Sequence, residues 1–337
     1  MPTTHQRISE YLLQEQIGAG AFGQVWRACH HVWTEQQVAI KLPTDPQYIR
    51  NLQREGFAVH GLVHPNIVRA LGFDPYANPP YLVMEYVPGT SLRPLIQNRA
   101  MSVPQAVNIL RQVLQGLAHA HTNGLVHRDV KPENILIHSS AADGNYTRSG
   151  TVKVTDFGLG HVAKASLDSI ALSASLHGDE ARRLAGTLDY MAPEQRAAET
   201  IDARADLYAC GVVFYEMLTG RRPAGVELPS ALNPDVPPHL DRVFARAYAR
   251  LERRFASAAE FAMALDDPLP PPAAATSNGR WCPGCRQAVE PADQFCMHCG
   301  LQLVAQVRRC PQCDAWPASD DQYCIHCGRV LSPVAVG

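Results

Sequence analysis

The spacing of the cysteines near the end of the chain is the feature that most restricts its fold. Eight of the ten cysteines lie in the last 56 residues, where they form two copies of the pattern C-x2-C-x10-C-x2-C, offset by 28 residues. Four thiolates at this spacing can close a tetrahedral Zn²⁺ site between two facing turns. A unit of about 20 residues cannot hold itself together by apolar burial alone, so the metal would supply the folding energy. The predicted zinc ligands are Cys282, Cys285, Cys296 and Cys299 in the first unit and Cys310, Cys313, Cys324 and Cys327 in the second.

Alternatives to zinc stay open on the residues alone. Disulfides need an oxidising compartment and no secretory signal is present, so metal is favoured over disulfides, and an iron–sulfur site is a minor alternative. His298 and His326 each lie between the two cysteines of a knuckle, and we predict that neither is a ligand because four thiolates already satisfy the metal. The two units, residues 281–303 and 309–331, resemble tandem ribbons of the double zinc ribbon type.

The net charge of the cysteine-rich tail indicates which class of partner it would bind. From Trp281 to Gly337 there are four arginines, no lysine and five acidic residues, a net charge of -1. Zinc ribbons often bind nucleic acid, but a ribbon with that role usually carries a basic stripe. We therefore predict a protein partner for the ribbons and regard nucleic acid as the weaker alternative.

Composition divides the rest of the chain. Residues 266–280, DDPLPPPAAATSNGR, combine prolines and small residues without apolar periodicity and are typical of a linker. A large domain is expected before it, at residues 11–265. The formal net charge is -2, and no apolar run approaches the roughly 18 residues that span a bilayer. With an N-terminus too polar for a signal peptide, these features predict a cytoplasmic protein without a membrane partner.

The large domain is predicted to begin with strands and to continue with helices. Gln37–Leu42, QVAIKL, is short, apolar and β-branched, which favours a strand. Helices are predicted after Pro46, over Pro104–Asn123 and over Asp206–Leu218. The apolar residues spaced for one helix face are Ile49, Leu52, Val59 and Leu62 in the first helix and Val107, Leu110, Leu114 and Leu117 in the second. Strands followed by helices indicate an α+β domain with two lobes.

A glycine-rich turn lies within the strand region. Gly18-Ala-Gly20-Ala-Phe-Gly23 has the pattern G-x-G-x-x-G, which is weak evidence alone because dinucleotide-binding turns share it. Here the chain continues as a strand rather than a helix, and a glycine turn between strands lets backbone N–H groups approach phosphates. Lys41 could then place a cation on those phosphates, with Glu55 holding it. Taken singly, each residue also fits a loop glycine or a surface charge.

The strongest signal is the run HRDVKPEN at residues 127–134. Within eight residues it supplies a carboxylate, a cation and an amide oxygen, and Asp156-Phe157-Gly158 follows 22 residues after Asn134 with a second carboxylate. Ala192-Pro193-Glu194 completes the series. In this order, from Gly18 to Glu194, the motifs closely resemble those of the protein kinase family.

The resemblance implies roles in the reaction. Asp129 would accept the proton of the substrate hydroxyl, Lys131 would contact the transferred phosphoryl group, and Thr187 would bridge the two. A lysine two residues after the base matches the serine/threonine class rather than the tyrosine class. By the same resemblance Asp206 would brace the catalytic loop, and Arg254 would pair with Glu194.

The resemblance also implies a site for ATP. Lys41, paired with Glu55, would contact the α- and β-phosphates, and Asn134 and Asp156 would hold Mg²⁺. The other implied nucleotide contacts are Ile17, Gly18, Gly20, Gly23, Val25, Ala39, Met84, Glu85, Val87 and Leu136. A bilobal protein kinase fold followed by two zinc ribbons is therefore the expected architecture. The expected activity is ATP-dependent phosphorylation of protein Ser and Thr hydroxyls, with the ribbons recruiting a partner or substrate. The alternative is a catalytically silent nucleotide-binding scaffold.

Two stretches of the large domain depart from the family pattern. Residues 138–150, HSSAADGNYTRSG, are longer than the usual tight hairpin, and we predict an exposed loop. Residues 221–238 are short and proline-rich, so the helix that often docks substrates there is expected to be reduced or absent. Cys29 and Cys210 stand alone in apolar surroundings and are predicted to be buried thiols.

The segment before Gly186 departs from the pattern too. It has no hydroxyl at the positions usually phosphorylated. Two alternatives are open: the acidic pair Asp179 and Glu180 substitutes for a phosphate, or a phosphate is carried on Ser173 or Ser175 instead.

Overall fold

A computed structural model of the 337-residue chain describes most of its first 266 residues and short parts of its tail. The chain divides into two compact units, Met1–Pro268 and Leu269–Gly337. The described residues are 2–20, 23–43, 49, 52–53, 56, 59–99, 101–141, 144–157, 188–197, 199–224, 227–266, 281–283, 287, 289, 293–294, 296, 301–304, 309–312 and 329–331.

The first unit opens with an antiparallel sheet of six strands in the order β1-β2-β3-β4-β6-β5. The strands are β1 (Arg7–Ile8), β2 (Tyr11–Gly20), β3 (Gly23–His30), β4 (Gln37–Leu42), β5 (Ala70–Asp74) and β6 (Tyr81–Glu85). The predicted strand Gln37–Leu42 is therefore confirmed. Since side chains alternate along a strand, Val38, Ile40 and Leu42 enter one apolar cluster, whereas Ala39 and Lys41 face the opposite side of the sheet.

A smaller sheet and a group of helices follow. The smaller sheet has the order β7 (Gly89–Ser91), β8 (Ile135–His138) and β9 (Val152–Val154), all antiparallel. The helices are α1 (Leu92–Gln97), α2 (Val103–Thr122), α3 (Pro193–Arg196), α4 (Arg204–Thr219), α5 (Pro229–Leu232), α6 (Pro238–Ala247) and α7 (Ala258–Ala264). None of the helices in the described part of the chain has the length and hydropathy of a bilayer span.

The predicted helices are found with small changes. The described residues between 49 and 59 are helical, and Leu52, Val59 and Leu62 are buried. Helix α2 agrees with the predicted helix to within a residue and ends before Gly124, whose φ of +75° only glycine adopts readily. Val107 is only half-buried, because Ile109 and Val113 take the inward positions beside the predicted leucines.

The loop over residues 138–150 is largely exposed, as predicted: six of its eleven described residues are exposed, and only Ala141 and Tyr146 are buried. The buried amide of Gln112, on α2, donates from Nε2 to the Tyr146 carbonyl at 2.7 Å. Gln105 near the start of α2 donates to the Gly144 carbonyl at 3.0 Å. Side chains of a helix distant in sequence therefore hold this loop against the domain.

Two further predictions concern the helical region. The described part of residues 221–238 contains a single helical turn, α5, so the docking helix is reduced as expected. Cys29 and Cys210 are both buried, as predicted, and burial raises the pKa of the Cys210 thiol well above its usual range. These two cysteines act as small apolar residues of the core.

Candidate active site

The loop 127–134 holds its reactive side chains by hydrogen bonds among themselves. Lys131 Nζ donates to the Asp129 carboxylate at 2.9 Å. The side-chain amide of Asn134 donates to the Asp129 carbonyl at 2.8 Å and to its carboxylate at 3.1 Å. The structure therefore brings together three predicted site residues, with a cation beside the carboxylate that was assigned as the base. This arrangement keeps the Asp129 side chain in one orientation.

Asp206 braces this loop from helix α4, as the sequence predicted. Its carboxylate accepts from the backbone N–H of His127 at 2.8 Å and from that of Arg128 at 2.7 Å. A third donor was missed: His121 Nε2, in the last turn of α2, lies 2.8 Å from the same carboxylate. No motif marks His121, since its partner lies 85 residues away in the sequence.

His127 links this loop to the segment that carries Asp156. Its ring is fully buried; its Nδ1 accepts from the Asp129 backbone N–H at 3.2 Å, and its Nε2 lies 2.8 Å from the Thr155 carbonyl. With Nδ1 as acceptor, Nε2 is the ring atom left to donate to that carbonyl, so both bonds hold the ring in one orientation. The ring also packs on Phe157 at a centroid distance of 4.5 Å. His127 therefore has a structural role.

Two residues of the site have left-handed backbone conformations. Arg128 has φ = +68° and Asp156 has φ = +64°, values that cost a non-glycine residue about 1–2 kcal/mol. Arg128 is held by the Asp206 contact at its N–H and by Gln195, whose side chain donates to its carbonyl at 3.0 Å. Such strain is typical of functional sites that the surrounding structure over-determines. Sequence patterns contain no signal for it.

Lys41 and Asp156 form a close ion pair. Lys41 Nζ lies 2.6 Å from Asp156 Oδ1, which joins the large sheet to the segment after β9. The predicted partner Glu55 lies outside the described residues, as do Thr187 and the residues at 173–180 proposed for regulation. Asp156 and Asn134 supply carboxylate and amide oxygens, the donors that Mg²⁺ prefers. Because the Asn134 amide nitrogen already donates to Asp129, its oxygen is the atom suited to a cation.

The predicted adenine contacts converge on one apolar cluster. Ala39 and Met84 are buried there with Leu52, Val68 and Leu82. Val25, Val87 and Leu136 are partly buried against the same cluster, so strands of both sheets contribute to it. A half-buried apolar surface of this kind suits a flat aromatic ring.

Glu85, a predicted nucleotide contact, makes hydrogen bonds within the protein through its N–H and its side chain. Its N–H donates to the Arg69 carbonyl at 2.9 Å, and its carboxylate accepts from Lys153 Nζ at 2.9 Å. The side chain is thus committed to structure, and the backbone carbonyl is the group that a nucleotide could contact. Ile17, at the other side of the predicted site, is exposed on β2.

The glycines of the glycine-rich turn occupy different structural environments. Gly18 pairs with Val25 across β2 and β3, and Gly20 pairs with Gly23 where the two strands meet. A Cβ atom on Gly23 would lie 2.3 Å from the Leu42 carbonyl oxygen, so only glycine allows β3 to approach β4 here. Gly23 is therefore required by strand packing as well as by any phosphate contact.

Arg254 and Glu194 form the predicted pair. The guanidinium donates to both carboxylate oxygens, at 2.6 and 2.9 Å, and both side chains are almost fully buried. Arg254 also donates to the carbonyls of Ala249 and Arg204. This bidentate ion pair anchors α3 to the C-terminal part of the first unit.

We expect Arg254→Met to lower the free energy of unfolding by about 3–5 kcal/mol, because it leaves the Glu194 carboxylate buried without its partner. Urea unfolding followed by circular dichroism at 222 nm measures the loss. The matched control is Arg204→Met, whose ion pair with Asp202 is partly exposed and should contribute at most about 1 kcal/mol. Equal losses in the two variants would contradict this prediction.

The described residues of the first cysteine unit show two equivalent turns. The Cys282 N–H donates to the Gln287 carbonyl at 2.9 Å, and the Cys296 N–H donates to the Leu301 carbonyl at 2.7 Å. Each bond therefore joins a cysteine to the residue five positions later. Both cysteines are buried in a single cluster with Val289. One thiol from each turn lies in this cluster, which fits two turns that face each other across a shared metal.

The 28-residue repeat is also visible in the packing. Cys282 shares its cluster with Leu303, and Cys310 shares a cluster with Leu331, each residue being displaced by 28 positions. Within the described residues no group of three or more metal-ligating side chains occurs, and only three of the eight predicted ligands fall among those residues. Tetrahedral thiolate ligation therefore stays a prediction for all eight cysteines.

The fold and the site together define a protein kinase. The protein kinase domain family matches residues 11–233, and the double zinc ribbon family matches residues 282–328. The chain belongs to the protein kinase family, and the predicted fold of a bilobal kinase domain with zinc ribbons is confirmed. Kinase domains typically use ATP and Mg²⁺, and a double zinc ribbon indicates zinc binding.

Several bacterial proteins are similar to this chain. Serine/threonine-protein kinase PrkC of Bacillus subtilis is 33% identical over 267 residues, covering 73% of this chain and 38% of the relative. Serine/threonine-protein kinase Pkn1 of Myxococcus xanthus is 33% identical over 285 residues, covering 78% of this chain and 39% of the relative. The chain thus spans about two fifths of the length of these relatives. The crystal structure of the PknI kinase domain of Mycobacterium tuberculosis superposes with a TM-score of 0.59 at 25% identity, covering 80% of this chain and 99% of that one.

Proposed function

We propose that the chain is a serine/threonine protein kinase that transfers the γ-phosphate of ATP to Ser and Thr hydroxyls of proteins. The observation that carries the proposal is the cluster of Asp129 with Lys131 and Asn134, held in place by Asp206. A carboxylate is oriented there beside a lysine and an amide in one rigid loop. The relatives named serine/threonine-protein kinases support the same activity.

The roles of these side chains follow from their chemistry. Asp129 would accept the proton of the acceptor hydroxyl as the oxygen attacks phosphorus, which is the task of a carboxylate within hydrogen-bond reach. Lys131, already 2.9 Å from that carboxylate, would place its charge beside the transferred phosphoryl group. Phosphoryl transfer needs this positioning and neutralisation of charge more than it needs covalent chemistry.

The nucleotide would bind between the two sheets. The apolar cluster of Val25, Ala39 and Leu136 would take the adenine ring, with the Glu85 carbonyl and the Val87 backbone at its edge. Lys41 would move from its pair with Asp156 toward the phosphates or contact both at once. Asn134 and Asp156 would hold Mg²⁺, which when bound neutralises charge on the phosphates.

The zinc ribbons would serve recognition rather than catalysis. Every group assigned to phosphoryl transfer precedes Asp206, and the first ribbon cysteine comes more than 70 residues later. Three of the zinc ligands that we propose are buried, namely Cys282, Cys296 and Cys310. The tail has a net charge of -1, so we propose a protein partner or substrate rather than nucleic acid.

Transfer of label from γ-labelled ATP to a mixed protein acceptor tests the activity. With Mg²⁺ present we expect label on serine and threonine, and none on tyrosine, by phosphoamino acid analysis. A chelator of Mg²⁺ serves as the control and should abolish the transfer, because the phosphate charge is then unshielded. ATP binding without any transfer would favour the silent scaffold, for which the reduced helix at α5 is the supporting observation.

A further inference from the structure

Arg93, on helix α1, joins four parts of the first unit through a single guanidinium group. Its Nε donates to Glu133 at 2.7 Å, its Nη1 to Glu216 at 2.7 Å and its Nη2 to the Tyr190 hydroxyl at 2.5 Å. Tyr190 in turn donates its O–H to Glu216. The partners of Arg93 lie 40, 97 and 123 residues away in the sequence. No motif of the sequence pointed to this cluster.

The partners of Arg93 border the proposed catalytic centre. Glu133 lies in the 3-10 turn Pro132–Asn134, four residues after Asp129. Tyr190 lies in the described stretch just before helix α3, and Glu216 lies on α4, the helix that also carries Asp206. The cluster therefore ties the catalytic loop to residues 188–192.

The charges of the cluster make its geometry depend on Arg93. Burial, together with the bond to Glu216, raises the pKa of Tyr190 above its usual range, so its hydroxyl stays neutral and donates. Arg93 is then the cation that neutralises two carboxylates. The side chain of Glu216 is only 7% exposed and that of Arg93 20% exposed, whereas that of Glu133 is 48% exposed. Loss of Arg93 would leave a buried carboxylate unpaired beside Tyr190.

We propose that Arg93 is a positioning residue for the protein acceptor, acting through Tyr190 and Glu133 to fix residues 188–192 against the catalytic loop. This inference rests on the proposed kinase activity. An acceptor whose hydroxyl reaches Asp129 must lay its neighbouring residues on the surface beside that loop, where Glu133 is the exposed end of the cluster. Because one planar guanidinium holds this surface, the residues that contact the acceptor would keep a fixed position relative to the catalytic loop.

The nucleotide site should be insensitive to Arg93. Lys41 and most of the apolar cluster for adenine lie on the six-stranded sheet, whereas Arg93 lies on α1 and Glu216 on α4. Asn134, although next to Glu133, is held separately: its N–H donates to the Lys131 carbonyl and its own carbonyl accepts from Thr155. Binding of ATP and binding of the acceptor should therefore respond differently to a change at Arg93.

Steady-state kinetics of the full chain, with a Ser/Thr peptide and with ATP varied separately, tests the proposal. We expect Arg93→Met to raise the KM for the peptide about tenfold or more and to leave the KM for ATP unchanged. Arg93→Lys should restore part of the loss, since it keeps the charge but not the planar fork. The matched control is Arg111→Met, which removes an arginine that is similarly buried and paired with Asp266. It should change neither constant.

Tyr190→Phe supplies a second, milder variant. It removes only the hydroxyl between Arg93 and Glu216. It should raise the peptide KM by a smaller factor than Arg93→Met does. In the double variant the effects should not add, because the two side chains contact each other. If Arg93→Met fails to fold, the peptide KM of Tyr190→Phe alone tests the proposal.

Three results would overturn the inference. They are an unchanged peptide KM in Tyr190→Phe, an equal rise in both Michaelis constants in Arg93→Met, and strict additivity in the double variant. A wild-type chain that binds ATP but transfers no phosphate would instead refute the proposed function, so the two failures can be told apart.

Discussion

Replacing Asp129 by asparagine is expected to lower phosphoryl transfer by about 10²–10⁴-fold while the affinity for ATP is kept. Asparagine has nearly the same shape, and its amide oxygen can still accept from Lys131 and Asn134, which both donate to Asp129. The loop should therefore keep its conformation and lose only the group that takes the proton. Initial rates with γ-labelled ATP, beside nucleotide titration by calorimetry, measure the two effects.

The matched control for this experiment is Asp266→Asn. Asp266 also pairs with a cationic side chain, Arg111, but it is largely exposed and has no place in the site. It should transfer phosphate at the wild-type rate. Wild-type turnover by Asp129→Asn would show that the base was wrongly assigned.

Removal of zinc is expected to unfold the ribbons and to leave the kinase unit intact. A structural zinc site in a small unit contributes on the order of 10–16 kcal/mol, far more than its apolar core can supply. Metal analysis of the purified chain should find about two zinc ions, one for each tetrahedral set of thiolates. Cys282→Ser/Cys285→Ser should lose the zinc of the first ribbon alone, because the repeat makes each unit complete. The variant should transfer phosphate from ATP at the wild-type rate.

Cys29→Ala provides the control for zinc content. Cys29 is buried in the sheet of the first unit, outside the ribbons, so its loss should not change the amount of bound metal. Undiminished zinc in the double serine variant would exclude Cys282 and Cys285 as ligands. A loss of phosphoryl transfer in that variant, with the helical signal at 222 nm unchanged, would show that the ribbons belong to the catalytic machinery.

The sequence by itself determined the elements and the reacting groups. The short, apolar and β-branched run Gln37–Leu42 predicted a strand, and the structure places Lys41 on the side of the sheet that faces the adenine cluster. Local spacing also predicted the grouping in the catalytic loop, because Asp129, Lys131 and Asn134 lie within six residues and one turn can bring them together. Cysteine spacing predicted two metal sites, and the resemblance of the two units to a double zinc ribbon agrees with the family that matches residues 282–328.

Only the tertiary structure decided how these groups are held. His121 and Asp206 are 85 residues apart in the sequence. Tyr190 and Glu216 lie 97 and 123 residues from Arg93. No local pattern specifies such pairs, since packing of α1, α2 and α4 brings them together. The left-handed backbone at Arg128 has the same origin, because contacts from Asp206 and Gln195 offset its local cost. Spacing along the chain can select reactive groups, but their orientation depends on long-range contacts that form only when the whole unit folds.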